Sequence, residues 1–521
     1  MSCSRTFRPG VPVLVLAVVA LVGSVHTPAQ RRGSTRSQGE AASELTVVLG
    51  RPADRSITLS VLSLVDIEAY VEFGTRAGDY ATKTDVAKAG AGVPLEIDLT
   101  GLQPDTRYYY RLRARRPGET AFGEDRPGFF HTRRAPGSTF AFALQGDSHP
   151  ERVNRMYDPG LYRLTLANVR KDQPDFYVMM GDDFSVDPLI SRGQLSQPNV
   201  DQLYVDQRQF LGAVAGSVPL FLVNGNHEQA SRYLLKGTAD SAPLFSGRAR
   251  TRYFPLPAPD AFYTGDAEKV EGIGYLRDYY AWTWGDALFV VIDPYWHSPV
   301  QVDNEAGGGG GGGRGGNRGA GGRAGGAGRG QSNATQGRAG GGRVRDWWGM
   351  SIGDAQYYWL KRTLEESKAR YKFVFAHHVL GTGRGAVEMA DLYEWGGKDR
   401  NGEFLFPRYR PGWELPIHQL MVQTGVTIFF QGHDHLFARQ ERDGVVYQEV
   451  PNPADPTYQA FNLEAYRSGD ILPDSGHLRV TVAPDQVKVD YVRAWLPKDE
   501  TGEQKSGTVA FSYVVKPRTR R

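Results

Sequence analysis

From residue 45 to about 134 apolar and polar positions alternate in short runs, at 56–62, 68–73, 95–99 and 108–113, with Gly, Pro and Asp turns between them. Alternation with a period of two at this spacing predicts the strands of a small β-sandwich. After Ala135-Pro136-Gly137 the texture changes to continuous apolar runs at 140–145, 176–180, 219–224, 373–376 and 426–431. Amphipathic stretches at 161–171 and 354–370 have helical spacing. Continuous apolar strands alternating with helices predict sheets buried on both faces. Two further alternating runs, 478–482 and 487–493, flank Ala483-Pro484-Asp485 and predict a hairpin that completes the sheet. A chain of 521 residues is long enough for two folded units.

Each continuous run ends on a short polar motif. These are Gly146-Asp147-Ser148-His149, Gly181-Asp182-Asp183, Gly225-Asn226-His227-Glu228, His377-His378 and Gly432-His433-Asp434-His435. Crevices at the carboxyl ends of strands are where open α/β sheets place their sites. A lone His or Gly-Asp pair at such a position is ordinary turn chemistry, but five in sequence supply the Asp, His and Asn donors of a two-metal hydrolytic site. Residues two apart on extended backbone point the same way, which suits Asp147 with His149 and His433 with His435. Two ions about 3.5–4 Å apart acidify water and clamp a phosphoryl group, and holding them so close calls for an anionic bridge. Nitrogen and oxygen donors suit Fe, Mn or Zn.

The order of these motifs resembles the calcineurin-like metallophosphoesterase superfamily, whose pattern is DxH, GD, GNH[ED], H and GHxH. The resemblance implies that Asp147, His149 and His435 hold one ion, that Asn226, His377 and His433 hold the other, and that Asp182 bridges both. It implies attack by a hydroxide lying between the ions. His227 would act as the catalytic histidine, with Glu228 setting its tautomer, and His378, beside His377, is a candidate to face the substrate. Arg384, in the glycine-rich stretch 381–385 after the fourth motif, reads either as a phosphate contact or as part of an ordinary flexible loop. Tyr295, Trp296 and Trp395 are candidates for lining a pocket. The segments Leu102-Gln103-Pro104-Asp105-Thr106-Arg107-Tyr108 and Tyr70-Val71-Glu72-Phe73-Gly74-Thr75 resemble the fibronectin type III-like domain that precedes the catalytic domain of purple acid phosphatases. The metal shell departs from those enzymes. Ser185, with Phe184 beside it, stands where they carry the iron-binding tyrosine, and His149 stands where they lack a histidine. A purple iron–tyrosinate protein is therefore not expected.

The fold class expected is an α/β (α+β) sandwich of mixed sheets flanked by helices over 138–496, preceded by an all-β fibronectin III-like sandwich over 45–135 and followed by a C-terminal extension, 497–521. The N-terminus has Arg5 and Arg8 before an apolar run at 11–25, then Thr27-Pro28-Ala29. That layout predicts a signal peptide over 1–29 and a flexible leader over 30–44, hence a secreted or periplasmic protein. The alternative is an uncleaved anchor, although the apolar run is short for a bilayer. The single cysteine, Cys3, would leave with the signal, so disulfides and thiolate ligands are not expected. No stable membrane insertion is expected after cleavage.

A net charge of +3 gives no reason to expect a nucleic-acid partner. The segment 306–343 is mostly glycine with scattered arginine and is expected to be disordered. It reads either as an RGG-like binder of anionic polymers or as an insertion in a surface loop, and the small entropic cost of lengthening such a loop favours the second. The expected activity is acid phosphatase-like hydrolysis of phosphomonoesters, with a phosphodiesterase acting on nucleotides or lipid headgroups as the alternative. A non-catalytic surface-binding protein is a third reading, which the presence of Asp182, Asn226 and His433 weighs against.

Overall fold

The fold, obtained as a computed structural model, is described for residues 44–123, 126–302, 346–379 and 384–518. The expected signal peptide, the leader up to residue 43 and the Gly/Arg-rich segment lie outside the described residues. Among those described, no helix is long and apolar enough to cross a membrane.

The N-terminal region is all β. Leu45–Gly50, Ser56–Ser63 and Leu95–Thr100 form one antiparallel sheet, and Ile67–Gly74, Arg107–Arg115 and Arg126–His131 are the main strands of a second. Inward residues from both, among them Leu59, Val61, Val71, Tyr110 and Leu112, share one core. Outward Arg107, Arg111 and Arg115 lie over the rings of Phe129, Tyr80 and Phe122. Tyr108 accepts a hydrogen bond from the Gln103 N–H at 2.9 Å, which ties the start of its strand to the preceding turn.

The second region is a sandwich of two mixed sheets. The six-stranded sheet runs Leu220–Leu222, Tyr177–Met179, Phe140–Gln145, Gly476–Ala483, Gln486–Arg493, Val509–Val515. The eight-stranded sheet has Ala287–Val291, Tyr371–Phe375, Ile428–Gln431 and Val445–Glu449 at its parallel centre. Both faces of these strands are buried, which is why they read as unbroken apolar runs. Phe289 points to the layer between the sheets, where it meets Phe142 edge-on with ring centroids 5.1 Å apart, while Val290 points to the outer layer.

Helices cover the outer faces. Pro159–Asp172, Gln197–Ala215 and Ala242–Tyr253 pack on the six-stranded sheet, and Asp354–Glu366 and Ile417–Thr424 on the other. Pro159–Asp172 starts at an Asp158 side-chain cap on the Leu161 N–H and stops at Gln173 in the left-handed region. The sequence patterns locate two of these helices but not Gln197–Ala215, the longest. The expected hairpin is present and pairs with Phe140–Gln145 on one side. On the other side it pairs with Val509–Val515, so part of the segment expected as a C-terminal extension is an edge strand of this sheet. Its alternating Val-Ala-Phe-Ser-Tyr-Val-Val has the period of a strand with one covered face.

Candidate metal centre

The loops that follow Phe140–Gln145, Tyr177–Met179, Leu220–Leu222, Tyr371–Phe375 and Ile428–Gln431 converge where the two sheets face one another. They bring Asp147, His149, Asp182, Asn226, His227, His377, His433 and His435 together. Asp147, Asp182, His377 and His433 offer one ligand atom each within 4.8 Å of one another, as do Asp147, His149 and His435, and His149, Asp182 and His227. Asp182 Oδ2 stands between two sides, 3.2 Å from His377 Nε2 and 3.7 Å from His149 Nε2. Asn226 Oδ1 lies 3.1 Å from His377 Nε2, and His435 Nε2 lies 3.0 Å from Asp147 Oδ2.

Burial sets the electrostatics. It is the largest influence holding His149, His433 and His435 below the ordinary imidazole range, so they are neutral and can offer lone pairs. Burial also acts to pull His377 down, but Asp182 and Asp147 outweigh it and raise His377 to about 10. The same burial would raise Asp147 and Asp182, yet the neighbouring histidines hold both well below the usual carboxylate range. The spot between these carboxylates therefore demands positive charge. His149 Nε2 and His435 Nε2 face each other at 3.1 Å, an approach that two neutral imidazoles tolerate only with a proton or cation between them. His377 Nδ1 donates to the Met180 carbonyl at 2.8 Å, and His149 Nδ1 meets Glu151 Oε1 at 2.9 Å. Such outer bonds turn the opposite nitrogen of each ring inward, as in metal-ligating histidines. The donor set thus fits a pair of divalent or trivalent ions.

The loops are strained and clamped. His149, Asp182, His433 and His435 all have φ between 49° and 79°, left-handed values that cost a non-glycine residue about 1 kcal/mol or more each. Glu228 holds one pair of loops, its carboxylate accepting the backbone N–H groups of Asp182, Asp183, Phe184 and Gly225 at 2.7–3.0 Å. Glu449 and Asp434 hold another. Glu449 accepts the Asp434 N–H, and Asp434 accepts the Gly385 N–H and the Tyr466 hydroxyl. Gly225 has no room for a side chain, since a Cβ there would lie 2.2 Å from Asp182 Oδ1. At Gly432 a Cβ would lie 2.6 Å from Asp147 Oδ1.

Three expectations change. Glu228 does not set the tautomer of His227. Its carboxylate is saturated by backbone donors, and Asp187 Oδ2 meets His227 Nδ1 instead, at 2.5 Å. Arg384 does not present a free fork to substrate, because its guanidinium bonds the His433 carbonyl and sits 3.1 Å from Asp434 Oδ1. His378 is buried, with its ring parallel to that of Tyr295 and its Nδ1 3.3 Å from the Tyr295 hydroxyl. Trp296 and Trp395 are also buried, and the Trp395 indole N–H bonds the Tyr447 hydroxyl in the helix-covered core. Phe184 stacks on Tyr204 at 4.1 Å, away from the donors, and adds no ligand.

Two residues at the site escaped sequence reasoning. Asp187 stands five places after Asp182 and belongs to no motif. Arg152, three places after His149, is half-buried, and its Nη2 lies 3.2 Å from His227 Nε2. A sequence signal for Arg152 existed only in its closeness to the first motif.

Comparison with known proteins agrees with this geometry. The family model for the calcineurin-like phosphoesterase matches residues 140–437, more than half of the chain. Among solved structures, PhoD superposes with a TM-score of 0.59 at 14% identity, covering 92% of each chain. A purple acid phosphatase, PPD1 from yellow lupin (Lupinus luteus) seeds, gives 0.55 at 15% identity, covering 90% of this chain and 74% of its own. At such identities the likeness is one of fold. No curated protein matches the chain by sequence. The chain belongs to the calcineurin-like phosphoesterase family and is a metal-dependent phosphoric ester hydrolase with a two-metal centre.

Proposed function

We propose that this protein is an exported phosphomonoesterase in which Asp147, His149 and His435 would hold one ion, Asn226, His377 and His433 would hold the other, and Asp182 would serve both. The position of Asp182 Oδ2 between imidazoles of both groups carries the assignment. Two ions held there would supply an acidified water and neutralise charge on the phosphoryl oxygens. The remaining work falls to the chain itself. Burial pulls the His227 imidazole down, but Asp182 and the bond to Asp187 outweigh it and raise it to about 9. In this reading Nδ1 is fixed on Asp187, and Nε2, turned toward the centre 3.8 Å from Asp182 Oδ2, carries a proton. That proton is the one given to the departing oxygen. Arg152, beside His227 Nε2, binds phosphoryl oxygens with a charge-assisted bond. An added cation at the rim favours the dianionic monoester over the monoanionic diester.

The test is hydrolysis of p-nitrophenyl phosphate and bis-p-nitrophenyl phosphate, side by side, after chelation and restoration of Mn, Zn or Fe. Turnover should vanish on chelation and return with metal, faster on the monoester. A diester rate above the monoester rate would reassign the protein as a phosphodiesterase. Export and the domain boundaries belong to the same reading, including a fibronectin III-like identity for residues 45–135. It is supported by the Arg5/Arg8 apolar leader and the Tyr108 turn bond. N-terminal sequencing of the mature protein from a cell fractionation checks it, and a start at Met1 in the cytoplasmic fraction would contradict export.

A further inference from the structure

Among the described residues, one buried cluster outside this centre also combines carboxylates with an imidazole. Asp266 follows strand Thr264–Gly265, Asp278 precedes strand Tyr280–Trp284, and His297 lies in the loop after Ala287–Val291. Antiparallel pairing of Gly265 with Tyr280, and a bond from the Asp266 N–H to the Tyr279 carbonyl at 3.1 Å, set the two aspartates side by side. A carboxylate oxygen of each and a ring nitrogen of His297 lie within 4.8 Å of one another. His297 Nε2 is 2.9 Å from Asp278 Oδ2.

The remaining oxygens are unequal. Asp278 Oδ1 accepts the Tyr279 N–H at 2.8 Å, and Asp266 Oδ1 accepts the Glu268 N–H at 2.9 Å. Asp266 Oδ2 accepts no well-formed hydrogen bond, although the residue is only 3% exposed, and the Asp278 carboxylate and Tyr279 hydroxyl are its polar neighbours. A buried oxygen without a donor is destabilising, and two buried carboxylates this close cannot both ionise without a cation or proton between them.

We propose that Asp266, Asp278 and His297 form a metal site separate from the catalytic pair, taking a divalent transition ion such as Zn²⁺. An imidazole with two carboxylates selects such an ion over Ca²⁺, which prefers oxygen alone. Three protein ligands are enough for Zn²⁺ when water completes the shell. The ion answers the Asp266 oxygen that lacks a well-formed hydrogen bond and the carboxylate repulsion together. It also braces the segment behind the catalytic centre. In that segment Asp293 accepts from the Asn224 side chain at 2.5 Å, two residues before Asn226, and the Tyr295 hydroxyl reaches His378. The site is a positioning element with no contact to substrate.

The experiment measures zinc bound per chain by plasma mass spectrometry after the full-length protein is chelated and re-equilibrated with Zn²⁺. Asp278→Asn should bind one ion fewer than wild type and lose part of the rise in Tm that zinc gives wild type. Asp182→Asn should lose catalytic-centre zinc and keep the ion at Asp278, so the double variant Asp182→Asn/Asp278→Asn should bind less than either. Equal zinc in wild type and Asp278→Asn overturns the proposal. Should Asp278→Asn not fold, His297→Gln serves in its place, and zinc content equal to wild type in that variant overturns the proposal too. Zinc lost in Asp182→Asn alone speaks only to the catalytic pair, so the two readings fail separately.

Discussion

At the scale of single residues, the centre is governed by which group meets which ring nitrogen. In the proposed reaction His227 is the proton donor, with Asp187 meeting one ring nitrogen and Asp182 lying near the other. Replacing His227 with Ala should lower kcat by about 100-fold or more while leaving metal content unchanged, since general-acid catalysis contributes roughly that much. Asp187→Asn should lower kcat less and move the basic limb of the kcat–pH profile downward, because the imidazolium loses its partner. An unmoved limb would mean that Asp187 only packs against the ring. Glu228→Gln belongs to another class. Removing the charge that four backbone N–H groups bind should lower Tm and metal content together, a pattern a purely catalytic residue would not produce.

Among elements, the last three strands of the six-stranded sheet are pinned by one buried carboxylate. Asp490 accepts from Ser512 at 2.7 Å and Lys488 at 2.9 Å through Oδ1, and from Arg479 at 3.0 Å through Oδ2. Burial opposes its charge, but Lys488, Ser512 and Arg479 outweigh burial and hold its pKa below the ordinary value. A carboxylate with a depressed folded pKa stabilises the fold above its unfolded pKa of about 4 and loses that contribution as pH falls through the folded value. Asp490→Asn should therefore cost about 1–3 kcal/mol at pH 7. Urea melts at pH 7 and below pH 4 should show the gap between variant and wild type narrowing in acid. A gap that stays constant would remove the charge from the account.

Across the whole molecule, the N-terminal sandwich is joined to the catalytic region by buried polar contacts. Arg208, on helix Gln197–Ala215, is fully buried and bonds the Ser60 carbonyl at 2.7 Å and the Tyr253 carbonyl at 2.5 Å, with Thr46 and the Ser60 hydroxyl nearby. The Tyr110 hydroxyl bonds the Gly216 carbonyl, and the Tyr263 hydroxyl bonds the Pro52 carbonyl, each at 2.5 Å. No carboxylate is among these Arg208 partners, and burial lowers its pKa to about 9. Arg208→Met keeps the bulk and strands two buried carbonyls, so it should cost about 2–4 kcal/mol and lower Tm. A Tm equal to wild type would show that water replaces the guanidinium. The same contacts predict that the catalytic region made without residues 45–135 is poorly soluble, since Val48 and Leu62 belong to the core beneath that helix.

The sequence alone marked two regions of different texture and picked out the Asp, His and Asn residues that the fold brings together. Both rest on local signals: a change from alternating to continuous apolar runs, and polar motifs at strand ends whose residues act where the chain places them. Asp147, His149, Asp182, Asn226, His377, His433 and His435 are legible for that reason. Tertiary structure alone decided how those residues are supported. Asp187 rather than Glu228 meets His227, Arg152 stands beside it, and Glu228 and Glu449 clamp strained loops, because these contacts form between segments whose spacing in the chain says nothing of their distance in space. The edge strand Val509–Val515 and the grouping of Asp266, Asp278 and His297 have the same origin. A strand's partner, and a carboxylate's neighbour across a sheet, are set by pairing register, and register is fixed only when the two cores close.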